Sequence, residues 1–184
     1  QWHFLPPSNW MNDPCGPILL HDVYHMFYQY NPYNPTWGNM SWGHAYSKDM
    51  VHWKHDPGAL WPSTWYDKEG VFSGSAVVDS NGFDVESQQV YIFYTGVYTP
   101  VDPTHITLKD GKHPWREIQA AAVTRPWDGL RDWTKITSNN TLLSSPPFPF
   151  EEIAGFRDPA VKFDATNREW KMLVGSGKLS EGGN

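Results

Sequence analysis

The apolar residues of this chain fall into short runs that are separated by Gly, Pro, Asn and Asp. Helical periodicity is nearly absent, and several runs alternate apolar and polar positions, which is typical of β-strands. The runs with this character are 18–20, 24–30, 76–78, 90–94, 119–123, 160–163 and 170–174. The pattern therefore predicts an all-β protein.

Three segments share one layout, in which a turn, a strand, a polar turn and a second strand follow one another. They cover residues 12–30, 73–96 and 157–175. The first two are followed by a second shared layout, at 45–53 and 122–133, which adds further strand and a Trp. Repeats of four strands are typical of propeller blades, so we predict a β-propeller.

Equivalent points of the repeats fall at Asp13, Gly74 and Asp158, at spacings of 61 and 84 residues. The longer spacing contains a loop at 100–115. We expect the first strand of each blade to line the central axis, where Asp13 and Asp158 would converge. The third repeat reaches only its second strand, so residues 1–184 supply about two and a half blades, and we expect an interrupted, longer propeller.

Each of the two aspartates follows a turn and precedes a Pro at the start of a strand. Taken alone, an Asp-Pro pair is ordinarily a turn starter. Two convergent carboxylates in a chain with 11 Trp and 9 Tyr nevertheless suit chemistry on sugars. The equivalent positions of Asp13 and Asp158 in the repeat favour this functional interpretation.

Composition and charge exclude several other classes. The net charge of −6 and the lack of a basic face argue against a nucleic-acid partner, and no apolar stretch approaches membrane-spanning length. No metal site is predicted, because His52 and His55 have poor spacing for a ligand pair on a strand. Two N-glycosylation triplets begin at Asn39 and Asn139, and they are compatible with a secreted glycoprotein.

Six motifs, in order along the chain, resemble glycoside hydrolase family 32, the invertases, fructan hydrolases and fructosyltransferases. They are Trp10-Met11-Asn12-Asp13-Pro14, Phe27-Tyr28-Gln29-Tyr30-Asn31-Pro32, Trp37-Gly38-Asn39 with Trp42-Gly43-His44, Phe72-Ser73-Gly74-Ser75-Ala76, Phe156-Arg157-Asp158-Pro159 and Trp170-Lys171-Met172-Leu173-Val174-Gly175. The resemblance implies a five-bladed β-propeller followed by a β-sandwich. Residues 1–184 match the N-terminal part of the catalytic propeller and none of the sandwich.

The resemblance also implies roles for the two aspartates. Asp13 matches the nucleophile and Asp158 the transition-state stabiliser, with no cofactor and no metal. The family's general acid/base is a Glu in a Glu-Cys motif downstream of the Arg-Asp-Pro turn. No Glu of this chain is followed by Cys, so we expect the acid/base beyond residue 184 and the set within it to be incomplete.

Other positions match the sugar pocket of the family. Its aromatic wall corresponds to Trp10, Trp37 and Phe72. Contacts with sugar hydroxyls are expected from Asn12, Gln29 and Ser73. Arg157 is expected to keep Asp158 ionised and to bind a hydroxyl. Without the resemblance, all of these would be interpreted as structural residues of turns and strands.

Two further expectations concern neighbouring residues. Cys15 stands where the family most often has Asn, and we hypothesise that this change favours transfer to a sugar over transfer to water. Because propellers use Trp between blades, we expect core or inter-blade positions for Trp53, Trp61, Trp127, Trp133 and Trp170.

The predicted activity is retaining hydrolysis of β-fructofuranosides, sucrose or a fructan, by a secreted or vacuolar enzyme. Three alternatives stay open at this point. They are a fructosyltransferase on sucrose, a non-catalytic fructan-binding propeller or truncated paralogue, and an inverting enzyme of another five-bladed family such as the arabinan hydrolases. The sequence predicts no oligomeric state.

Overall fold

The computed structural model describes residues 3–79, 88–102, 104, 113–125, 129–136, 141–145 and 153–178. Within these ranges the named elements are ten β-strands in three sheets. No helix among them is long and apolar enough to cross a membrane. Two sites of the sequence predictions lie outside the described residues, namely Trp127 and Asn139 of the second glycosylation triplet.

The first sheet, blade 1, contains β1 (Trp10–Leu20), β2 (Val23–Asn31), β3 (Ser41–Ser47) and β4 (Lys54–Leu60) in that order. Neighbouring strands are antiparallel. The turn between β1 and β2 has two residues with positive φ, 48° and 61°, as a two-residue hairpin of type I′ requires. Chain order and spatial order therefore agree throughout the blade.

The second sheet, blade 2, contains β5 (Gly70–Asp79), β6 (Gln89–Tyr98), β7 (Arg116–Thr124) and β8 (Thr134–Lys135), again in chain order. A third sheet pairs β9 (Ile153–Asp164) with β10 (Glu169–Lys178) and is the start of blade 3. The first strand of blade 2, β5, adjoins the first strands of the other two blades, β1 and β9. Successive sheets whose first strands meet are the arrangement of a propeller, so the predicted all-β repeat is confirmed.

Apolar faces of blades 1 and 2 pack together and form the main core. Blade 1 contributes the fully buried Phe27 and Trp42, and blade 2 contributes Ile92, Tyr94 and Ile118. Blade 2 lies between blades 1 and 3, so its strands β6 and β7 bury residues at odd and even positions alike.

The prediction that five tryptophans are core or inter-blade residues was only partly right. Trp133 is half-buried against the main core and Trp53 is half-buried. Trp61 is 37% exposed and was wrongly predicted. Trp170 packs on Phe163 of the neighbouring strand at 5.1 Å, and because only two strands of blade 3 are described, its inter-blade position stays a prediction.

Blade 1 binds the first strand of blade 2 through two side-chain N–H donors. The amide of Gln29 donates to the carbonyl of Val71 at 3.0 Å, and the indole of Trp42 donates to the carbonyl of Phe72 at 3.0 Å. Gln29 and Trp42 are directly paired across β2 and β3. The pair thus fixes the start of β5 against blade 1.

Blade 2 binds the first strand of blade 3 in the same way. Thr95 and Gln119 are directly paired across β6 and β7, as Gln29 and Trp42 are in blade 1. The amide of Gln119 donates to the carbonyl of Phe156 at 2.8 Å, and the amide N–H of Asp158 donates to Thr95 Oγ1 at 3.0 Å. We call each of these two sets of contacts a joint. The joint between blades 2 and 3 holds the backbone of Asp158, and the joint between blades 1 and 2 holds the strand of Ser73, the partner of Asp13.

Candidate active site

Asp13 lies on β1 at a bulge, where the pairing with β2 shifts between Met11 and Pro14. Its carboxylate is exposed. Ser73, which lies on the equivalent bulge of β5, donates its hydroxyl to Asp13 Oδ2 at 2.7 Å. Bulges reorient side chains at the rims of sheets, and here two of them turn Asp13 and Ser73 toward each other.

Asp158 lies on β9 with a φ of 61°, a left-handed backbone that is unusual outside glycine. Burial raises the pKa of its carboxyl, while the Arg157 cation lowers it and the Asp13 charge raises it. Asp13 and Asp158 lie on β1 and β9, the two first strands that flank β5. Their convergence at one site stays a prediction.

Cys15 is fully buried next to both aspartates. Its thiol donates to the backbone carbonyl of Asp13 at 3.6 Å. Burial raises the pKa of Cys15 to about 11; bonds with Gly74 and Ser73 oppose this rise, and the charges of Asp13 and Asp158 add to it. The thiol is therefore protonated at neutral pH and is a packing residue rather than a nucleophile.

Arg157 precedes Asp158 and pairs with a carboxylate of blade 2. Its Nε lies 2.8 Å from Oε1 of Glu117, whose side chain is fully buried. Burial raises the pKa of Glu117, and the amide of Phe156 and the Arg157 cation oppose the rise. One third of the Arg157 side chain stays exposed, and its predicted contact with a sugar hydroxyl stays a prediction.

The three aromatic residues predicted for the sugar pocket lie in one cluster of rings, and their contact with a sugar stays a prediction. Trp37 and Phe72 meet edge to face at 5.9 Å, and Trp37 is 42% exposed. Trp115 contacts both, at 6.1 Å from Trp37 and 5.9 Å from Phe72, and His113 stacks on Trp115 at 4.1 Å. Trp10 packs against the same group. All five rings thus form one surface beside the Asp13–Ser73 pair.

Asn12 and Gln29 have structural partners. The Trp10 indole donates to Asn12 Oδ1 at 2.9 Å, which fixes the orientation of the ring. Gln29 is 2% exposed, and its amide nitrogen is used by the Val71 carbonyl. The structure shows both as residues of the framework, and their predicted contacts with sugar hydroxyls stay predictions.

Sequence reasoning missed Thr95, Glu117, Gln119, His113 and Trp115. Glu117 and Gln119 carried a signal, since they are polar residues two apart that flank Ile118 and precede three Ala residues in β7. On a strand that is covered on both faces, such a pair points into the next blade. Among the described residues, no cluster of three or more His, Cys, Asp or Glu could hold a metal ion.

Comparison with known proteins agrees with this geometry. The family model for the glycosyl hydrolases family 32 N-terminal domain matches residues 3–183. The chain belongs to glycosyl hydrolase family 32. The predicted family and the N-terminal part of its propeller are therefore confirmed.

Family 32 relatives resemble the chain in sequence and in fold. An acid beta-fructofuranosidase of Vigna radiata is 37% identical over all of the chain and 25% of its own length. The exo-inulinase of Aspergillus awamori superposes with a TM-score of 0.76 at 35% identity, over 95% of this chain and 34% of that one. Fructan 1-exohydrolase IIa of Cichorium intybus gives 0.73 at 35% identity, over 96% and 29%. The chain thus spans a quarter to a third of these proteins.

Proposed function

We propose that the intact protein is a retaining glycoside hydrolase that acts on β-fructofuranosides, sucrose or a fructan. The observation that carries the proposal is the arrangement of the two aspartates, which lie on the first strands of blades 1 and 3, on either side of β5, whose Ser73 binds Asp13. The names of the family 32 relatives, a beta-fructofuranosidase and an inulinase, support the substrate class.

Asp13 is the proposed nucleophile. Its Oδ2 accepts the Ser73 hydroxyl, which leaves Oδ1 to attack the anomeric carbon of the fructosyl unit. A C–O bond to Asp13 forms while the glycosidic C–O bond breaks, and the departing oxygen takes a proton from a general acid. Water then cleaves the fructosyl ester, so two inversions give net retention. We assign the acid/base to the family's Glu-Cys motif and to no residue of the printed sequence.

Asp158 is the proposed transition-state stabiliser. Positive charge grows on the ring as the glycosidic bond breaks, and a fixed carboxylate stabilises it through bonds to the sugar hydroxyls. Arg157 favours the ionised form of Asp158, because its cation opposes the effect of burial on the pKa of that carboxyl. No metal or cofactor enters the proposed reaction.

The exposed ring of Trp37, with Trp10 and Phe72, is the proposed wall for the sugar. Related structures are described in complex with sucrose, for the Bombyx mori enzyme, and with 1-kestose, for the Cichorium intybus enzyme. A secreted or vacuolar location is proposed from relatives named extracellular and vacuolar. Asn39, in the first glycosylation triplet, is exposed.

The proposal is tested on the complete reading frame that contains these residues. Sucrose and inulin turnover is followed together with the anomer that forms first, by NMR. We expect β-fructofuranose as the first product and loss of turnover in Asp13→Asn. An α-anomer would indicate an inverting enzyme, glucose in large excess over fructose would indicate a transferase, and binding without turnover a non-catalytic propeller.

A further inference from the structure

Glu117 is a fully buried carboxylate of blade 2 that contacts the two residues of β9 before Asp158. Its Oε1 lies 2.8 Å from Arg157 Nε, and its Oε2 accepts the amide N–H of Phe156 at 2.6 Å. Both oxygens thus bind the two residues that immediately precede Asp158. A fully buried carboxylate is retained only where such partners compensate the loss of water.

Three further hydrogen bonds fix this part of β9. The carbonyl of Phe156 accepts from Gln119, and the amide of Asp158 donates to Thr95. The Thr95 hydroxyl in turn donates to Gln119 Oε1 at 3.0 Å. Blade 2 therefore binds the backbone of the residues on both sides of Arg157, and it also forms an ion pair with the Arg157 side chain.

The conformation of Asp158 explains why such a hold is needed. Its φ of 61° is left-handed, and a residue with a side chain keeps that conformation only where its surroundings impose it. The direction of the carboxylate follows from this backbone. Contacts that fix Phe156 and Arg157 consequently fix the direction in which Asp158 points.

Blade 1 provides an internal control for the role of Glu117. Its paired residues Gln29 and Trp42 match Thr95 and Gln119, and the residue two positions before Trp42 is Met40, as Glu117 is two before Gln119. Met40 is buried and packs against Phe72. A blade joint of this geometry therefore forms with an apolar side chain, and a charge is not needed for it.

We propose that Glu117 is a positioning residue for the transition-state stabiliser: its carboxylate anchors Arg157 and the Phe156 amide so that Asp158 faces Asp13. This inference rests on the proposed function, because it assigns a role in the same reaction. Glu117 itself touches no reacting atom. Its contribution is to the geometry of the site, and it acts through the turn that it binds.

The test compares two variants of the complete protein with a matched control. Glu117→Met installs the residue of blade 1, and Glu117→Gln keeps an acceptor oxygen without the charge. The control is Asp67→Asn, because Asp67 is as buried as Glu117 and is ion-paired with Lys135. Melting temperatures are recorded with the kinetics for sucrose.

We expect Glu117→Met to lower kcat about 100-fold with KM changed less than about threefold, because small displacements of a catalytic group have effects of this size. Glu117→Gln should retain more activity, since it keeps one acceptor. Asp67→Asn should lower the melting temperature by a similar amount while kcat stays within about threefold. A kcat of Glu117→Met that equals that of Asp67→Asn would overturn the proposal.

A second comparison separates positioning from general damage to the fold. In an Asp158→Asn background, Glu117→Gln and Glu117→Met should lower kcat by less than about twofold, since the group that they position is already gone. Full additivity of the losses would overturn the positioning role. An inactive wild-type protein, seen before any variant is compared, would overturn the proposed function, and the role of Glu117 would fall with it.

Discussion

The joint between blades 1 and 2 and the joint between blades 2 and 3 use the same backbone contacts for different ends. In both, a donor on the third strand binds the carbonyl of an equivalent Phe, Phe72 in one case and Phe156 in the other. The first joint surrounds this contact with the apolar Met40, and the second with the ion pair of Glu117 and Arg157. At this contact the joint between blades 1 and 2 is thus neutral, whereas the joint between blades 2 and 3 carries an ion pair next to Asp158.

The same comparison explains why the second blade contributes no third aspartate. Gly74 occupies the position that Asp158 has in blade 3, and a Cβ at Gly74 would lie 2.0 Å from the carbonyl oxygen of Phe93. Backbone atoms leave no room for a side chain there. Blade 2 therefore contributes the hydroxyl of Ser73, one residue earlier, as the partner of Asp13.

Replacing Asp158 by the glycine that blade 2 has at the matching position should have the largest effect on activity. Asp158→Gly gives blade 3 the residue of blade 2, and glycine accepts a φ of 61° without strain. We expect kcat/KM for sucrose to fall about 10³-fold, as for the loss of one stabilising group, with a free energy of unfolding within about 1 kcal/mol of wild type. Retained turnover would show that the carboxylate is not a stabiliser.

The reciprocal change, Gly74→Ala, should damage the fold rather than the chemistry. The new Cβ overlaps the Phe93 carbonyl, so β5 and β6 must separate. We expect a loss of about 3 kcal/mol in the free energy of unfolding, measured by urea titration. Gly129→Ala is the control for space, because a Cβ there meets nothing closer than 3.7 Å, although its φ of 74° adds backbone strain. Equal losses in the two variants would contradict the overlap.

The first joint should be more sensitive to acid than the second. His44 is fully buried, stacks on Phe27 at 4.7 Å and faces His25, Asp56 and, through Asp56, Arg131. Burial, reinforced by His25 and Arg131 against Asp56, lowers the pKa of His44 from 6.5 to about 4.

Because the unfolded chain binds this proton more readily, stability present above pH 6.5 is lost as the pH falls toward 4. The loss should approach about 3 kcal/mol. His44→Phe should flatten the dependence of unfolding free energy on pH in this window. An unchanged slope in His44→Phe would assign the acid sensitivity to other groups.

Removal of the equivalent donors should separate the two joints by function. Gln119→Leu leaves the carbonyl of Phe156 unpaired, and Trp42→Phe does the same to Phe72. Each should cost about 2 kcal/mol of unfolding free energy, with an additional packing loss in Trp42→Phe. Gln119→Leu should lower kcat more than Trp42→Phe, because Phe156 lies two residues from Asp158, whereas Phe72 precedes Ser73, whose removal has the smallest expected effect. Equal kinetic losses would mean that both joints aim the site alike.

The smallest effect is expected at Ser73. Ser73→Ala removes the hydroxyl that orients Asp13 and adds no atoms. A hydrogen bond to a charged group of this kind contributes about 1.5 kcal/mol, so kcat/KM should fall about tenfold. Ser75→Ala in the same strand is the control, because Ser75 binds the amide of Val161 rather than a carboxylate. Identical losses in the two variants would remove Ser73 from the site.

The sequence was sufficient to predict the strands and the two aspartates, because both repeat at fixed positions of the blade. Glu117 and Gln119 could not be placed, since a polar residue in a strand ordinarily predicts a face in water. Whether that face is covered depends on the next blade, which alternation alone does not show. Trp61 fails for the opposite reason, because an aromatic residue at a strand end predicts burial and its side chain is 37% exposed.

The buried thiol of Cys15 can report how often strands β1 and β5 separate. The side chain is 0% exposed and lies against β5, so a thiol reagent reaches it only when the first strands of blades 1 and 2 part. Its protonated state also makes the closed form chemically silent. The rate of alkylation of Cys15, followed on the peptide that carries it, therefore measures how often the innermost strands separate two residues away from Asp13.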